Sequence, residues 1–185
     1  MQRRYDAVIV GGGPAGVSCA VWLARLGLAP VLVDAGKQLG GLVADNPFVD
    51  GWIAALPGAT GRQIAENLTE SVRAAGVPVL SGAPAVRAYA EDGGYAVELG
   101  SGNTVRGRTL VVASGVRARN LPEYPREARW PGVLVGPGSS IVAQDYSGLA
   151  VAVLGGGDNA FENFVDVRNR GARTVHLFAR TVRAQ

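Results

Sequence analysis

Cysteine is nearly absent from this 185-residue sequence. Cys19 stands alone, so no disulfide can form within it, and a reducing compartment, the cytoplasm, is the default expectation. Histidine is as rare. His176 alternates between Val175 and Leu177 along an expected strand and reads as structural, because a catalytic imidazole needs a pocket partner. No metal site is read, and no side chain is read as a catalytic acid, base or nucleophile. Aromatic residues make up 6% and charged residues 18%. The formal charge of +3 comes from basic residues that are nearly all arginine and widely scattered, without the stripe or aromatic interleaving of a nucleic-acid binder. No apolar run reaches the roughly 20 residues that span a bilayer. Arg3 and Arg4 precede a short apolar run, but glycines interrupt it at once and no A-x-A site follows, so no signal peptide is expected. Neither nucleic acid nor membrane is an expected partner.

Glycine, by contrast, is abundant, at 27 residues in a composition that is 48% hydrophobic and reads as globular. The glycines cluster where chemistry is expected. Ala7 to Val10 is a short apolar run suited to a strand buried on both faces of a parallel sheet. Gly11, Gly13 and Gly16 then fit G-x-G-x-x-G, Val17 to Leu26 reads as a helix stopped by Gly27, and Pro30 to Val33 reads as a second strand ending at Asp34. Each part has a mechanical reason. Gly11 permits the tight turn, Gly13 lets a pyrophosphate approach the backbone, and Gly16 lets the helix pack close to the strand. The helix N-terminus faces the phosphates, and Asp34 accepts hydrogen bonds from a ribose diol. The pattern predicts a site for the ADP moiety of a dinucleotide.

The middle of the chain alternates turns and short elements. Asp34 to Asn46 is a glycine-rich loop in which Gly40-Gly41 could again bring backbone near a cofactor. Thr60 and Gln63 form a capping-box pattern opening an amphipathic helix to about Ala75. Gly76 ends it, and Val77 to Leu80 is a short strand. Pro84 to Arg108 alternates in period two, with turns at Asp92-Gly93-Gly94 and Gly100-Ser101-Gly102, which predicts an antiparallel meander. Thr109 to Ala113 returns to a buried strand closed by Ser114-Gly115. Arg117 to Gly138, with Pro122, Pro125, Pro131 and Pro137, reads as a linker.

The opening motif then recurs. Val151 to Leu154 is an expected buried strand, and Gly155, Gly157 and Ala160 fit the G-x-G-x-x-A form of the fingerprint. A helix from Asn159 to about Asn169, a stop at Gly171 and a strand from Thr174 to Phe178 complete the unit. The offset that separates Gly11 from Asp34, counted from Gly155, ends at Phe178. No acid stands there, and Arg180 and Arg183 follow. A 2′-phosphate would be repelled by an acid and bound by arginine forks. The second copy therefore suits NADPH, and the first a cofactor with a free 2′-hydroxyl, such as FAD.

This order of motifs resembles the low-molecular-weight thioredoxin reductase family, in which an NADPH domain interrupts an FAD domain. The matching stretches are GGGPAG (Gly11 to Gly16), Gly40-Gly41, LPGATG (Leu56 to Gly61), VVASG (Val111 to Gly115) and GGGDNAFE (Gly155 to Glu162). The resemblance implies an α/β fold: a Rossmann-like, three-layer FAD-binding domain with an antiparallel meander, plus the start of a second Rossmann-like NAD(P)-binding domain. It places the FAD domain at 1–117, the linker at 118–147 and the incomplete NAD(P) domain at 148–185. By the same resemblance, FAD would be held by Gly11, Gly13, Pro14, Ala15 and Gly16, by Asp34 and Ala35, by Gly41, Leu42 and Asn46, and by Ala85, Ala113 and Gly115. Gly155, Gly157, Asp158, Asn159, Ala160, Arg180 and Arg183 would serve the nicotinamide nucleotide.

Two departures sharpen the expectation. The segment before the second fingerprint, GVLVGPGSSIVAQDYSG, has no C-x-x-C, so dithiol exchange within this sequence is excluded. With Gly148 before the strand, this looks like the thioredoxin-reductase-type ferredoxin–NADP reductases. There, hydride passes from nicotinamide C4 to flavin N5, and electrons leave to a small redox protein, ferredoxin or flavodoxin. Quinones or oxygen as acceptor, NADH in place of NADPH, and a homodimer stay open. Family members also run well beyond residue 185. The expectation is a C-terminally truncated form, and the alternative function is a module that holds FAD or nucleotide without turnover.

Overall fold

A computed structural model of the chain describes residues 4–46, 48–49, 51, 53, 56–116, 131–135, 141 and 143–181. The chain divides into two compact units, Met1–Arg129 and Trp130–Gln185.

The first unit contains the strands β1 (Arg4–Val10), β2 (Pro30–Val33), β3 (Val79–Leu80), β4 (Ala85–Glu91), β5 (Gly94–Leu99) and β6 (Thr104–Val112), with helices α1 (Pro14–Arg25) and α2 (Gly61–Ala74). They form one hydrogen-bonded sheet in the order β3-β2-β1-β6-β5-β4. The pairs β3–β2, β2–β1 and β1–β6 are parallel, and β6–β5 and β5–β4 are antiparallel. The expected parallel sheet, meander and helices are all present.

The side-chain period of two explains the layering. Ile9 and Leu32 point to one face of the parallel strands and pack with Val17 and Ala20 of α1, Val72 of α2, and Leu39 and Val77. Val8, Val31 and Val33 point to the other face and pack with Val97, Leu99 and Val105 from the meander. Helices, parallel strands and meander are therefore three layers with an apolar core on each side of the middle one.

One expectation is corrected in β6. The change from alternating to apolar residues near Arg108 predicts two separate strands, yet Thr104–Val112 is one strand. Gly107 is the reason. It pairs with Tyr95 of β5 and also with Tyr5 of β1, and a Cβ there would stand 2.9 Å from a Val8 methyl. Without a side chain, the strand leaves the meander and joins the parallel layer unbroken. The 109–113 stretch is also less enclosed than expected: Leu110 and Val111 are half-buried, and Val112 is 70% exposed.

Helix ends follow their caps. Pro14 sits in the first turn of α1 and Gly13 is its N-cap, so the helix begins three residues before the expected Val17; proline's fixed φ suits that position. Thr60 caps α2 in a full capping box with Gln63. The hydroxyl of Thr60 accepts from the Gln63 N–H, and the Gln63 side chain accepts from the Thr60 N–H at 2.9 Å. The α2 residues Ile64, Ala65 and Val72 are buried.

The second unit holds a two-stranded parallel sheet, β7 (Ala150–Leu154) and β8 (Thr174–Phe178), joined by α3 (Asp158–Asn169). The expected βαβ unit is there, but β7 is not buried on both faces. Val151 and Val153 are half-buried while Ala150, Ala152 and Leu154 are exposed, because α3 covers only one face of a two-stranded sheet. His176 lies on the outer face of β8 near Phe178, ring centroids 6.3 Å apart.

Ile141 and Tyr146, at the end of the segment read as linker, are buried in this unit. The Tyr146 hydroxyl donates to the Ile141 carbonyl at 2.9 Å. Arg170, just past α3, stacks over the Tyr146 ring at 4.9 Å and donates to the carbonyls of Ile141 (3.0 Å) and Gln144 (2.7 Å). Residues 117–130 and most of 136–142 lie outside the described residues.

Candidate functional site

The first glycine loop lies where β1 ends between β2 and β6, the point at which the chain leaves the middle of a parallel sheet in both directions; open α/β sheets bind ligands outside such strand ends. Three glycines there are required by their surroundings. Gly11 has φ +114°, and a side chain on it would collide with the Ala113 carbonyl of the neighbouring strand. A Cβ on Gly16 would collide with the Gly11 carbonyl. Gly12 is walled by Leu39 and by the Asp34 carboxylate. Gly13 differs: nothing lies within 4 Å of where its Cβ would be, so the loop is closed behind and open in front.

A second loop docks on the first. The Gly40 N–H donates to the Gly12 carbonyl at 2.8 Å, and a Cβ on Gly41 would be 3.4 Å from the Gly13 Cα. Gly40 has φ +118° and Gly41 φ +55°, so both positions need glycine. Leu42 follows in a short 3-10 turn, Gly41–Val43, and is 43% exposed. On the other side, the Ala113 N–H donates to the Val10 carbonyl at 2.8 Å, and Gly115 turns away with φ +67°. Ala83 donates to the Asp34 carbonyl at 2.9 Å, which brings the chain entering β4, two residues before Ala85, to the end of β2. Gly11, Gly13, Pro14, Ala15, Gly16, Asp34, Gly41 and Ala113 are thus assembled at one end of the sheet, with Ala35, Leu42 and Gly115 adjoining them in the chain. Asn46 follows the Gly41–Val43 turn, its N–H donating to the Val43 carbonyl at 3.1 Å. Its side chain accepts from the Phe48 N–H at 3.1 Å and its backbone lies against Gly61 at the start of α2.

Asp34 makes contacts that the motif does not announce. One carboxylate oxygen accepts from the Gly12 N–H at 2.5 Å and the other from the Gly36 N–H at 2.6 Å. Sequence reasoning missed Gly12 and Gly36. The second was accessible, since an aspartate accepting from the N–H two residues on is an ordinary Asx turn. The first joins residues far apart in the chain and has no local signature.

The second glycine loop has the same construction. Gly155 N–H donates to the Phe178 carbonyl at 2.9 Å, as Gly11 N–H does to Val33 at 2.8 Å. Gly155 has φ +147°, and a Cβ there would be 3.0 Å from that of Ala160. Gly157 is the N-cap of α3 and, like Gly13, faces open space. Asp158 and Asn159 form the first turn of α3. The strand register corrects one correspondence. Phe178 pairs with Leu154 as Val33 pairs with Val10, so the counterpart of Asp34 is Ala179, not Phe178. The run from helix end to strand end is one residue longer in this copy, Asn169 to Phe178 against Arg25 to Val33. Ala179 indeed walls Gly156, its Cβ 2.9 Å from where one would stand on the glycine. Arg180 follows directly and is exposed, while Arg183 lies outside the described residues. Among the described residues no group of three or more His, Cys, Asp or Glu could hold a metal ion, and no helix is long and apolar enough to cross a membrane.

Residues 5–184 match the family model described as pyridine nucleotide-disulphide oxidoreductase. The chain is 29% identical over 166 residues to an NADH dehydrogenase of Bacillus subtilis, covering 90% of this chain and 32% of that protein. It is also 32% identical over 169 residues to a ferredoxin–NADP reductase of Limosilactobacillus fermentum, covering 88% and 50%. Its fold is similar to thioredoxin reductase of Lactococcus lactis, with a TM-score of 0.78 at 21% identity over 98% of this chain and 59% of that one. Bacillithiol disulfide reductase of Staphylococcus aureus gives 0.79 at 18% identity, over 100% and 59%. The chain spans about a third to a half of the length of these two curated relatives. The chain belongs to the pyridine nucleotide-disulphide oxidoreductase family.

Proposed function

We propose that the chain serves an NAD(P)H-dependent flavin oxidoreductase, with FAD on the first glycine loop, NADPH on the second and a small redox protein such as ferredoxin as acceptor. The observation that carries this is the pair of glycine loops of one construction that differ at the acid position: Asp34 in the first, Ala179 followed by Arg180 in the second. The ferredoxin–NADP reductase relative supports the acceptor class, as does the presence of a single, half-buried cysteine on α1.

The residues fit the two nucleotides. Gly13 and Gly157 leave the space that a pyrophosphate needs beside the first turn of a helix, where the positive end of the helix dipole favours an anion. A carboxylate has about four acceptor positions, so Asp34, with two in use, still has room for a ribose diol. Arg180 supplies a planar donor fork for a 2′-phosphate, which Ala179 leaves unopposed. With both nucleotides bound, the chemistry supplied is hydride acceptance from a nicotinamide followed by electron release. The protein's share is binding and orientation, and the proposal assigns no side chain to proton transfer. The same proposal places the protein in the cytoplasm.

The test is an anaerobic titration of the flavin-loaded chain with NADPH and with NADH, followed at the flavin absorption bands. Bleaching that is faster with NADPH, and reversed by oxidised ferredoxin, is the expected result. Bound flavin that neither nucleotide bleaches would instead favour a module that holds nucleotide without turnover.

A further inference from the structure

We infer that Asp34 is a positioning residue that latches the first glycine loop into its binding shape before any nucleotide arrives. The inference deepens the proposed reading of this loop as the FAD site and rests on it. A glycine-rich loop has the largest backbone freedom of any sequence, and a ligand that must order it binds more weakly. Here the two peptide planes flanking Gly12 are held from opposite sides. The Gly12 N–H, which belongs to the plane shared with Gly11, donates to one oxygen of Asp34. The Gly12 carbonyl, which belongs to the plane shared with Gly13, accepts from the Gly40 N–H at 2.8 Å.

The other oxygen of Asp34 accepts from Gly36, at the start of the stretch that carries Gly40. One carboxylate therefore ties the phosphate loop and its docking loop together, and the open side of Gly13 is the product. Ala179, at the matching place in the second unit, has no acceptor atom with which to do this. The first loop is thus preorganised by a carboxylate that its copy lacks at the matching place.

The test compares wild type with Asp34→Ala and Asp34→Asn in the full chain. An asparagine offers one acceptor oxygen and so keeps at most one of the two bonds. In the nucleotide-free protein, hydrogen exchange at the Gly12 and Gly36 amides should quicken at least about tenfold in Asp34→Ala, the effect expected for losing a charge-assisted hydrogen bond. Protection of the β1 amides reports that the fold is kept; if it is lost in the alanine variant, the asparagine variant carries the comparison.

The second measurement uses FAD whose adenosine ribose lacks both the 2′- and 3′-hydroxyls. A residue acting only on the diol cannot affect the affinity for this probe, whereas a latch should cost about tenfold in Kd for the probe as well as for FAD. Unchanged exchange, or a loss confined to intact FAD, overturns the latch. If wild type binds neither FAD nor the probe, the FAD reading itself fails, whatever the exchange rates show.

Discussion

At the scale of single residues, the two glycines Gly11 and Gly13 separate fold from function. Gly11 has φ +114° and is walled by the Ala113 backbone, so Gly11→Ala should cost about 2–4 kcal/mol in urea unfolding, the range for backbone strain joined to a steric clash. Gly13 has an ordinary φ of −76° and open space in front. Gly13→Ala should leave stability within about 0.5 kcal/mol while weakening FAD at least about tenfold, measurable by quenching of flavin fluorescence. Both glycines were legible from the fingerprint, since their reasons are stereochemical and local. The roles of Gly12 and Gly36 were not, because a carboxylate's choice among nearby N–H groups depends on where the loop after β2 folds back. The acid position in the second copy was misplaced for a related reason. A fixed offset assumes equal connections, and the second is one residue longer.

At the scale of elements, termini and strand partners decide the rest. Removing the capping hydroxyl with Thr60→Ala should destabilise α2, and with it the first unit, by about 1 kcal/mol, read as a lower denaturation midpoint. In the second unit, burial raises the Tyr146 phenol above its ordinary range, with the nearby Arg170 charge opposing. A raised value means that folding favours the protonated form. The stabilisation it brings is full below the ordinary tyrosine pKa of about 10 and is lost as pH climbs through the folded value. Unfolding of wild type should therefore show an alkaline loss of stability that is smaller in Tyr146→Phe. At neutral pH the variant should lose about 1 kcal/mol with the hydroxyl's bond to Ile141. The strands Pro30–Val33 and Thr174–Phe178 and the capping box were readable because short-range pattern alone dictates them. The continuity of β6 was not. Its residues switch from alternating to apolar at Arg108, which normally marks a break, and only the partners on either side of Gly107 reveal one strand serving two layers. The expected burial of β7 failed because an apolar run reports what a strand tolerates and not what covers it.

At the scale of the whole molecule, one loop design is used twice with different surroundings, and the proposed division between FAD and NADPH should show as a division in ligand chemistry. Adenosine carrying both 2′- and 5′-phosphates should bind more tightly than the 5′-monophosphate. Arg180→Ala should remove about tenfold of that advantage, the worth of a charge-assisted bond, and leave the monophosphate unaffected; calorimetry on the two ligands decides it. The shared strand has a further consequence, for how the chain is made. Arg4 pairs with Arg106 and Val10 with Val112, so β1 leaves the ribosome roughly a hundred residues ahead of its central partner. At about 5–20 residues per second the apolar β1 waits roughly 5–20 s with one edge unpaired, since such long-range pairing cannot form before the later strand exists. For that interval the apolar run Ala7 to Val10 presents an unpaired strand edge for a chaperone to shield.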